Sequence, residues 1–184
     1  MVNPQSMQLN EKIDFILQGS DLVEQATRAQ AIARSDATFV PLMHMASLRA
    51  QKIIGLPEGM PSTYKPETSI PNGIADTTVR QEFRRIKNFL PGGSTESLPR
   101  THRESVWTTL LQGLHWKEAD VIINIKDQTL FTKYPQLRNV LVELSVKVDV
   151  PATLVKDMDA PGPDLKHSEK PAKKEKKAKA PKPE

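Results

Sequence analysis

The chain has 184 residues, of which 38% are hydrophobic and only 5% aromatic, so a helical core of aliphatic side chains is expected rather than a β-sandwich. It contains no cysteine, which excludes disulfides, iron–sulfur clusters and thiol catalysis. No apolar run approaches the length that crosses a bilayer, and residues 1–10 lack the basic start and apolar stretch of a signal peptide. We therefore expect a cytosolic protein without a membrane partner.

Charge is distributed unevenly along the chain. Residues 166–184 hold eight lysines against three glutamates, which is +5, whereas the whole chain carries +4. The other residues therefore sum to −1, which argues against a nucleic-acid binder that uses its whole surface. The composition predicts one helical domain over residues 1–155 and a disordered Lys/Pro/Ala-rich tail over residues 156–184, because the tail has too few apolar residues to form a core.

The N-terminal third of the chain has helical periodicity. The apolar spacing begins at Leu9 and is interrupted at Gly19, a residue that can end a helix in the left-handed conformation. Ser20 and Asp21 can cap a second helix, because their side chains accept hydrogen bonds from the first free backbone N–H groups. A third helix is expected to start near Asp36.

The clearest helix follows Asp76 or Thr77, either of which can cap it. Its apolar stripe has helical spacing and consists of Val79, Phe83, Ile86 and Leu90. Further helices are predicted from Pro99, Trp116 and Pro135. The predicted fold class is therefore mainly α, an irregular bundle of six or seven helices.

Two segments lack helical periodicity. Residues 55–73 contain four prolines and three glycines, which predicts a long Pro/Gly-rich loop. Residues 145–150 alternate valine with polar residues, as a strand does, and we interpret them as an extended strap.

Motifs that would indicate catalysis or a nucleotide cofactor are absent from the sequence, including the phosphate-binding GxxxxGK, the dinucleotide glycine fingerprint and GxSxG. Glu118, Asp120 and Asp127 do not share one helix face, so a metal site is not expected, and Asp120 and Lys126 are interpreted as solvated charges. His44, His102 and His115 lie in three separate predicted helices or at their ends, and His44, which is flanked by Met43 and Met45, is expected to be a partly buried, hydrogen-bonded side chain. We therefore expect no enzyme activity, no metal and no cofactor.

The most suggestive constellation lies on the helix predicted after Thr77. Arg80, Arg84 and Lys87 fall at i, i+4 and i+7, with Arg85 beside them. Such a row can hold phosphates or an acidic protein surface, because a guanidinium group presents a fork of donors and keeps its charge. The alternative interpretation is a solvated helix face with Glu82 nearby.

The tail contributes a second group of cations. It could contact nucleic acid without sequence specificity, through counterion release, or it could serve only as a solubiliser. Its candidate binding residues are Lys173, Lys174, Lys176, Lys177 and Lys179.

Three strings carry a resemblance to a known family: LPEGMPSTYKP at residues 56–66, VRQEFRRIKNFL at 79–90 and LLQGLHWKEADVIINIKDQTL at 110–130. In this order they resemble an uncharacterised protein family of T4-like phages of marine bacteria, over residues 39–144. That family has no assigned activity, so the resemblance implies an origin without a mechanism. The lysine-rich tail lies outside it.

A second likeness is to the small subunit of the T4-type sliding-clamp loader. It depends on PEGMP near Tyr64 and on a closing helix near Leu141. That family is helical, lacks ATPase motifs and joins the ATPase subunits through its helices. The chain departs from it at residues 92–96, which lack the cluster of basic and aromatic residues found there.

These observations together favour a non-enzymatic accessory or interaction protein of a phage, associated with DNA replication or other DNA-handling machinery in the bacterial host cytoplasm. A protein partner is expected, and nucleic acid would be bound without sequence specificity. The alternative is a virion or scaffold component that docks through its Pro-rich loop and valine strap.

Overall fold

The computed structural model describes residues 6–144, and this part of the chain is mainly helical, as predicted. Its eight α-helices are α1 (Leu9–Leu17), α2 (Leu22–Ser35), α3 (Phe39–Ser47), α4 (Val79–Lys87), α5 (Arg100–Gly113), α6 (Trp116–Lys126), α7 (Leu130–Lys133) and α8 (Pro135–Glu143). A single 3-10 turn, Arg49–Gln51, follows α3, and no β-strand occurs between residues 6 and 144. The predicted strap at 145–150 and the tail lie outside the described residues.

Two of the predicted capping residues accept a backbone hydrogen bond at or just before a helix start. The Asp21 side chain accepts a hydrogen bond from the Glu24 N–H at 2.8 Å and caps α2. The Asp36 carboxylate accepts the Thr38 N–H at 2.9 Å, just before α3 begins at Phe39. In both places a short side chain satisfies a backbone donor that the helix itself leaves unpaired.

The cap of α4 differs from the prediction. Neither Asp76 nor Thr77 caps this helix; Thr78 does, in a reciprocal capping box with Gln81. Thr77 is instead used in a bridge, because its N–H donates to the Gly113 carbonyl at 2.9 Å. This bridge ties the start of α4 to the end of α5.

One short helix, α7, was not predicted. It has four residues, too few to show a helical period, and it follows Gln128, whose φ of 59° turns the chain sharply after α6. Pro135 then begins α8, since a proline is tolerated at the first position of a helix.

One hydrophobic core unites the helices of the described chain. α2 packs on α8, α3 packs on α6, and α1 contacts α2, α6 and α8. Trp107, Leu110 and Leu111 of α5 are buried, and the rings of Phe89 and Trp107 meet edge to face with centroids 5.0 Å apart. Phe83 on α4 is only half-buried. None of the helices between residues 6 and 144 is long and apolar enough to cross a bilayer.

The chain between the 3-10 turn and α4, residues 52–78, contains no helix or strand and is called the belt below. The predicted Pro/Gly-rich loop forms its centre. Tyr64, a residue of the belt, is only 6% exposed, so the belt packs on the helical core through this side chain. Its prolines prevent helix formation, and its backbone groups bond to side chains of α6 and the turns at its ends.

Candidate functional site

The predicted row of cations lies on the solvent side of α4. Val79 and Ile86 are buried on the opposite side, which leaves Arg80, Arg84 and Lys87 exposed. At about 100° per residue, these three side chains fall within an arc of about 60°, so they form one continuous stripe. We call these three residues the basic row.

Arg85 does not belong to this row. It lies on the other flank of α4 and forms an ion pair with Glu82, with 3.0 Å between nitrogen and oxygen. Glu82 is buried rather than solvated, at 8% exposure. The Lys87 ammonium lies 5.8 Å from the centroid of the Phe83 ring, a distance at which the ring face attracts a cation. Arg85 is therefore largely neutralised by the fold, whereas the basic row faces solvent.

The tail lysines that were predicted to contact nucleic acid, Lys173 to Lys179, lie outside the described residues. Their role stays a prediction from the sequence. The basic row is therefore the part of the predicted site that the structure describes.

The belt is fastened to the helical core in two places, by side chains at the two ends of α6. The Lys126 ammonium donates to the Pro57 carbonyl at 2.7 Å and also pairs with the Asp127 carboxylate. The other oxygen of Asp127 accepts the Gly59 N–H at 2.9 Å. Thus the Lys-Asp pair at the end of α6 fixes the first part of the belt.

His115 fixes the second part. Its Nδ1 accepts the Lys117 N–H at 3.3 Å, so the proton of the neutral ring lies on Nε2, which donates to the Ile70 carbonyl at 3.1 Å. The residue is 1% exposed, and both ring nitrogens have partners. His115 thus acts as a structural, hydrogen-bonded histidine.

Two clefts separate the belt from α5 and the turn that follows it. The first, of about 350 Å³, is lined mainly by hydroxyl groups, including those of Ser62, Thr63 and Ser105. The second, of about 340 Å³, is lined by aromatic and aliphatic side chains and by charged ones, including Lys65, Glu67 and Asp76. Both volumes lie at the lower end of the range for small-molecule sites. Between residues 6 and 144, no group of three or more His, Asp or Glu side chains is arranged to hold a metal ion.

A buried ion pair lies near the start of α1. The Lys12 ammonium and the Asp36 carboxylate are 2.5 Å apart, and both side chains are at most 3% exposed. Burial alone would raise the pKa of Asp36, but hydrogen bonds from Lys12 and Thr38 outweigh it, so this pKa lies below the usual value of 3.8. Asp36 is therefore a charged partner that the fold requires.

Glu118, at the start of α6, is buried beside this pair. Burial raises the pKa of Glu118 above the usual 4.5, and the backbone amides of Leu9 and Val79 act in the opposite direction. Two carboxyl groups with opposite pKa shifts can indicate acid–base chemistry. Here, however, Asp36 and Glu118 line a cavity of only about 30 Å³, which has room for about one water molecule and no substrate.

The interpretation of Lys126 as a solvated charge is wrong, because the residue is 3% exposed. Its position could have shown this, since it follows the buried Ile122 by four residues and therefore lies on the same face of α6. Glu118 precedes Ile122 by four residues and shares that face as well. Lys126 was assigned to solvent because its side chain is charged, although its spacing places it on the buried face of α6. Asp120 is half-buried and pairs with Lys133.

The fold and the site define a small helical protein with an exposed basic helix and a fixed belt. Its sequence matches a protein family of unknown function, DUF6433, over residues 25–132. This span is more than half of the chain, so the protein belongs to that family. The matched span includes α4, the belt and the residues that fasten the belt. No curated protein and no solved structure matches the chain.

Proposed function

We propose that this protein is a non-enzymatic accessory protein that binds a polyanion, most simply a nucleic-acid backbone, through the basic row of α4. The observation that supports this proposal is that all three cations are exposed on one stripe of a helix whose opposite side is buried in the core. Within residues 6–144, Arg84 and Lys87 have no ion-pair partner. Their charge is therefore available to a partner outside the chain.

The length of the basic row limits the strength and specificity of this binding. Arg80 and Lys87 are seven residues apart, which corresponds to about 10 Å along the helix axis. A surface of this size reaches two or three phosphates, so binding should be weak, sensitive to salt and indifferent to base sequence. Such binding suits an accessory protein that acts beside a larger complex.

We propose further that the protein acts in the DNA-handling machinery of a T4-like phage, in the cytoplasm of the infected host. The support for this finer role is the resemblance carried by the strings at residues 56–66, 79–90 and 110–130. The weaker likeness to the small subunit of a sliding-clamp loader would make it a non-ATPase partner of ATPase subunits. The location of α4 and the belt inside the family match agrees with a role shared by the family.

The test replaces the whole basic row: Arg80→Gln, Arg84→Gln and Lys87→Gln in one variant. The affinity for labelled single-stranded and duplex DNA, measured by fluorescence anisotropy at several salt concentrations, should fall. The slope of log affinity against log salt should flatten by nearly one unit for each lost contact. A control variant removes three exposed cations elsewhere, Arg34→Gln, Lys65→Gln and Arg100→Gln, of which Arg100 pairs with Glu104.

Each outcome separates the explanations. If the control variant loses as much affinity for DNA as the triple variant of the basic row, binding depends on net charge and the basic row is not a specific binding site. If DNA affinity stays constant while capture of a protein partner from infected cells falls, the row docks an acidic protein instead. If neither changes, the row is a solvated helix face and the proposal fails.

A virion or scaffold component remains the second candidate function. The observation that favours it is the exposure of two large apolar side chains on the belt, Met60 at 49% and Ile74 at 60%. Mass spectrometry of purified particles distinguishes the two functions, since a replication accessory protein should be absent from mature virions. Stoichiometric presence in the particle would favour the structural role.

A further inference from the structure

The second cleft described above lies between the belt and the turn that joins α5 to α6, and its volume is about 340 Å³. Its apolar lining includes Trp116, the first residue of α6, and the aliphatic side chains of Ile70, Ile74 and Leu114. Trp116 is half-buried, and Ile74 is 60% exposed. A cleft of this size with an aromatic ring in its wall has space for a small apolar body, such as one ring with a short chain.

Two polar groups of this cleft have no hydrogen-bond partner in the described chain. Tyr64 is only 6% exposed, yet its hydroxyl group makes no hydrogen bond within residues 6–144. The indole N–H of Trp116 also donates to no group in this part of the chain. Buried hydroxyl groups are normally paired, because burial removes their water. The Tyr64 hydroxyl group is therefore available to a ligand in the cleft.

This hydroxyl group is uncharged near neutral pH. Burial raises the pKa of Tyr64 above its usual value of 10.0, and the carboxylate of Asp120 acts in the same direction. A protonated tyrosine can still accept a hydrogen bond through its oxygen. Tyr64 thus offers an acceptor to a ligand without adding a charge to the cleft.

The charged side chains that line the cleft are Lys65, Glu67 and Asp76, so carboxylates outnumber ammonium groups by two to one. None of the three forms an ion pair within residues 6–144. An ammonium ligand has three N–H donors, for which the two carboxylates and the Tyr64 oxygen are possible acceptors. The excess of negative charge therefore favours a cation over an anion in this cleft.

We propose that this cleft binds a primary ammonium group carried on a flat apolar body, as in an arylalkylamine or in adjacent aromatic and lysine side chains of a partner protein. The apolar body contacts Trp116 and Ile74. The ammonium group faces the carboxylates rather than the ring, since the Lys117 ammonium already lies 5.4 Å from the centroid of the Trp116 ring. This site is independent of the proposed function, because the basic row attracts anions and the cleft attracts cations.

Three probes that share one ring and one chain length test the charge preference: phenethylamine, phenethyl alcohol and phenylacetate. Binding to the full-length protein is followed through the indole N–H resonance of Trp116. The other tryptophan of the chain, Trp107, is 0% exposed and serves as the internal reference. Phenethylamine should bind about tenfold more tightly than phenylacetate, with the alcohol between them, and the Trp107 resonance should stay in place.

Single substitutions in the cleft sharpen the test. Glu67→Gln and Asp76→Asn should each weaken the binding of phenethylamine by about two- to fivefold, because each removes one exposed charge of opposite sign. Lys65→Gln should strengthen it, because it removes a like charge. Glu58→Gln is the matched control, since this exposed carboxylate of the belt lines a different cleft, and it should leave the affinity unchanged.

Several results would overturn the proposal: equal affinity for the three probes, tighter binding of phenylacetate, or no movement of the Trp116 resonance with any probe. Weaker binding of phenethylamine to Lys65→Gln would overturn it as well. The blocked dipeptide acetyl-Phe-Lys-amide distinguishes the two sources of the ligand. Tighter binding of the dipeptide than of phenethylamine indicates a protein segment, and weaker binding indicates a free amine. None of these measurements involves DNA, so their failure is distinct from a failure of the basic row.

Discussion

Positive charge occurs in two opposite environments in this protein. Lys12 and Lys126 are each 3% exposed, and their ammonium groups contact Asp36 and Asp127 respectively. The three cations of the basic row are exposed and lie on one stripe of α4. A buried lysine requires a partner because the loss of hydration costs several kcal/mol, whereas an exposed one contributes little to folding.

This difference separates residues that the fold requires from residues that it does not. The buried lysines connect α1 to the turn after α2, and α6 to the belt, so their contacts explain their presence. The basic row contributes less to stability. Arg84 and Lys87 lie in the last turn of α4, where the interaction of a cation with the helix dipole stabilises the helix by about 0.3–1 kcal/mol. The fold therefore accounts for Arg85 through its ion pair with Glu82, whereas it requires neither Arg84 nor Lys87.

The largest effect is expected from Lys12→Met. The substitution leaves the Asp36 carboxylate buried without its cation, which should lower the free energy of unfolding by about 3–5 kcal/mol in a urea titration near neutral pH. The double variant Lys12→Met with Asp36→Asn should recover part of this loss, because the uncompensated charge is gone. A loss below about 1 kcal/mol would show that the pair is hydrated and that the contrast with the row is false.

The helices and the buried ion pairs differ in how far the sequence could predict them. The helices were predictable because apolar residues recur with helical spacing and caps such as Asp21 are local. The pairing of Lys12 with Asp36 was not, because the two residues are joined only by the packing of α1 against the end of α2. For the same reason the cavity at Glu118 could not be derived from any local pattern.

The basic row represents the opposite case. Its position on one face follows from residue spacing alone, so the structure confirms the exposure that the helical period implies. Arg85 was grouped with it because it is adjacent in sequence. Its ion pair with Glu82 could be seen only after the burial of Glu82 was known.

An intermediate effect is expected from Lys126→Met. The Pro57 carbonyl and one oxygen of Asp127 would lose their donor, which should cost about 1–3 kcal/mol. Much of this loss should be local, because Lys126 fastens the belt rather than two helices. Limited proteolysis should therefore cut the belt faster in this variant, whereas Lys12→Met should expose all segments together. Equal acceleration of cleavage across the chain would contradict a local role for Lys126.

The smallest effect on stability is expected from Arg84→Gln, at the centre of the basic row. The free energy of unfolding of this variant should change by no more than about 1 kcal/mol, because an exposed side chain without an ion-pair partner in the described chain loses only its favourable interaction with the helix dipole. The same urea titration used for Lys12→Met measures it. A loss of several kcal/mol would mean that Arg84 is required by the fold rather than by an external partner. If stability is retained and DNA affinity falls, the two environments are separated as the structure implies: charge inside the protein holds the helices together, and charge on α4 acts on a partner.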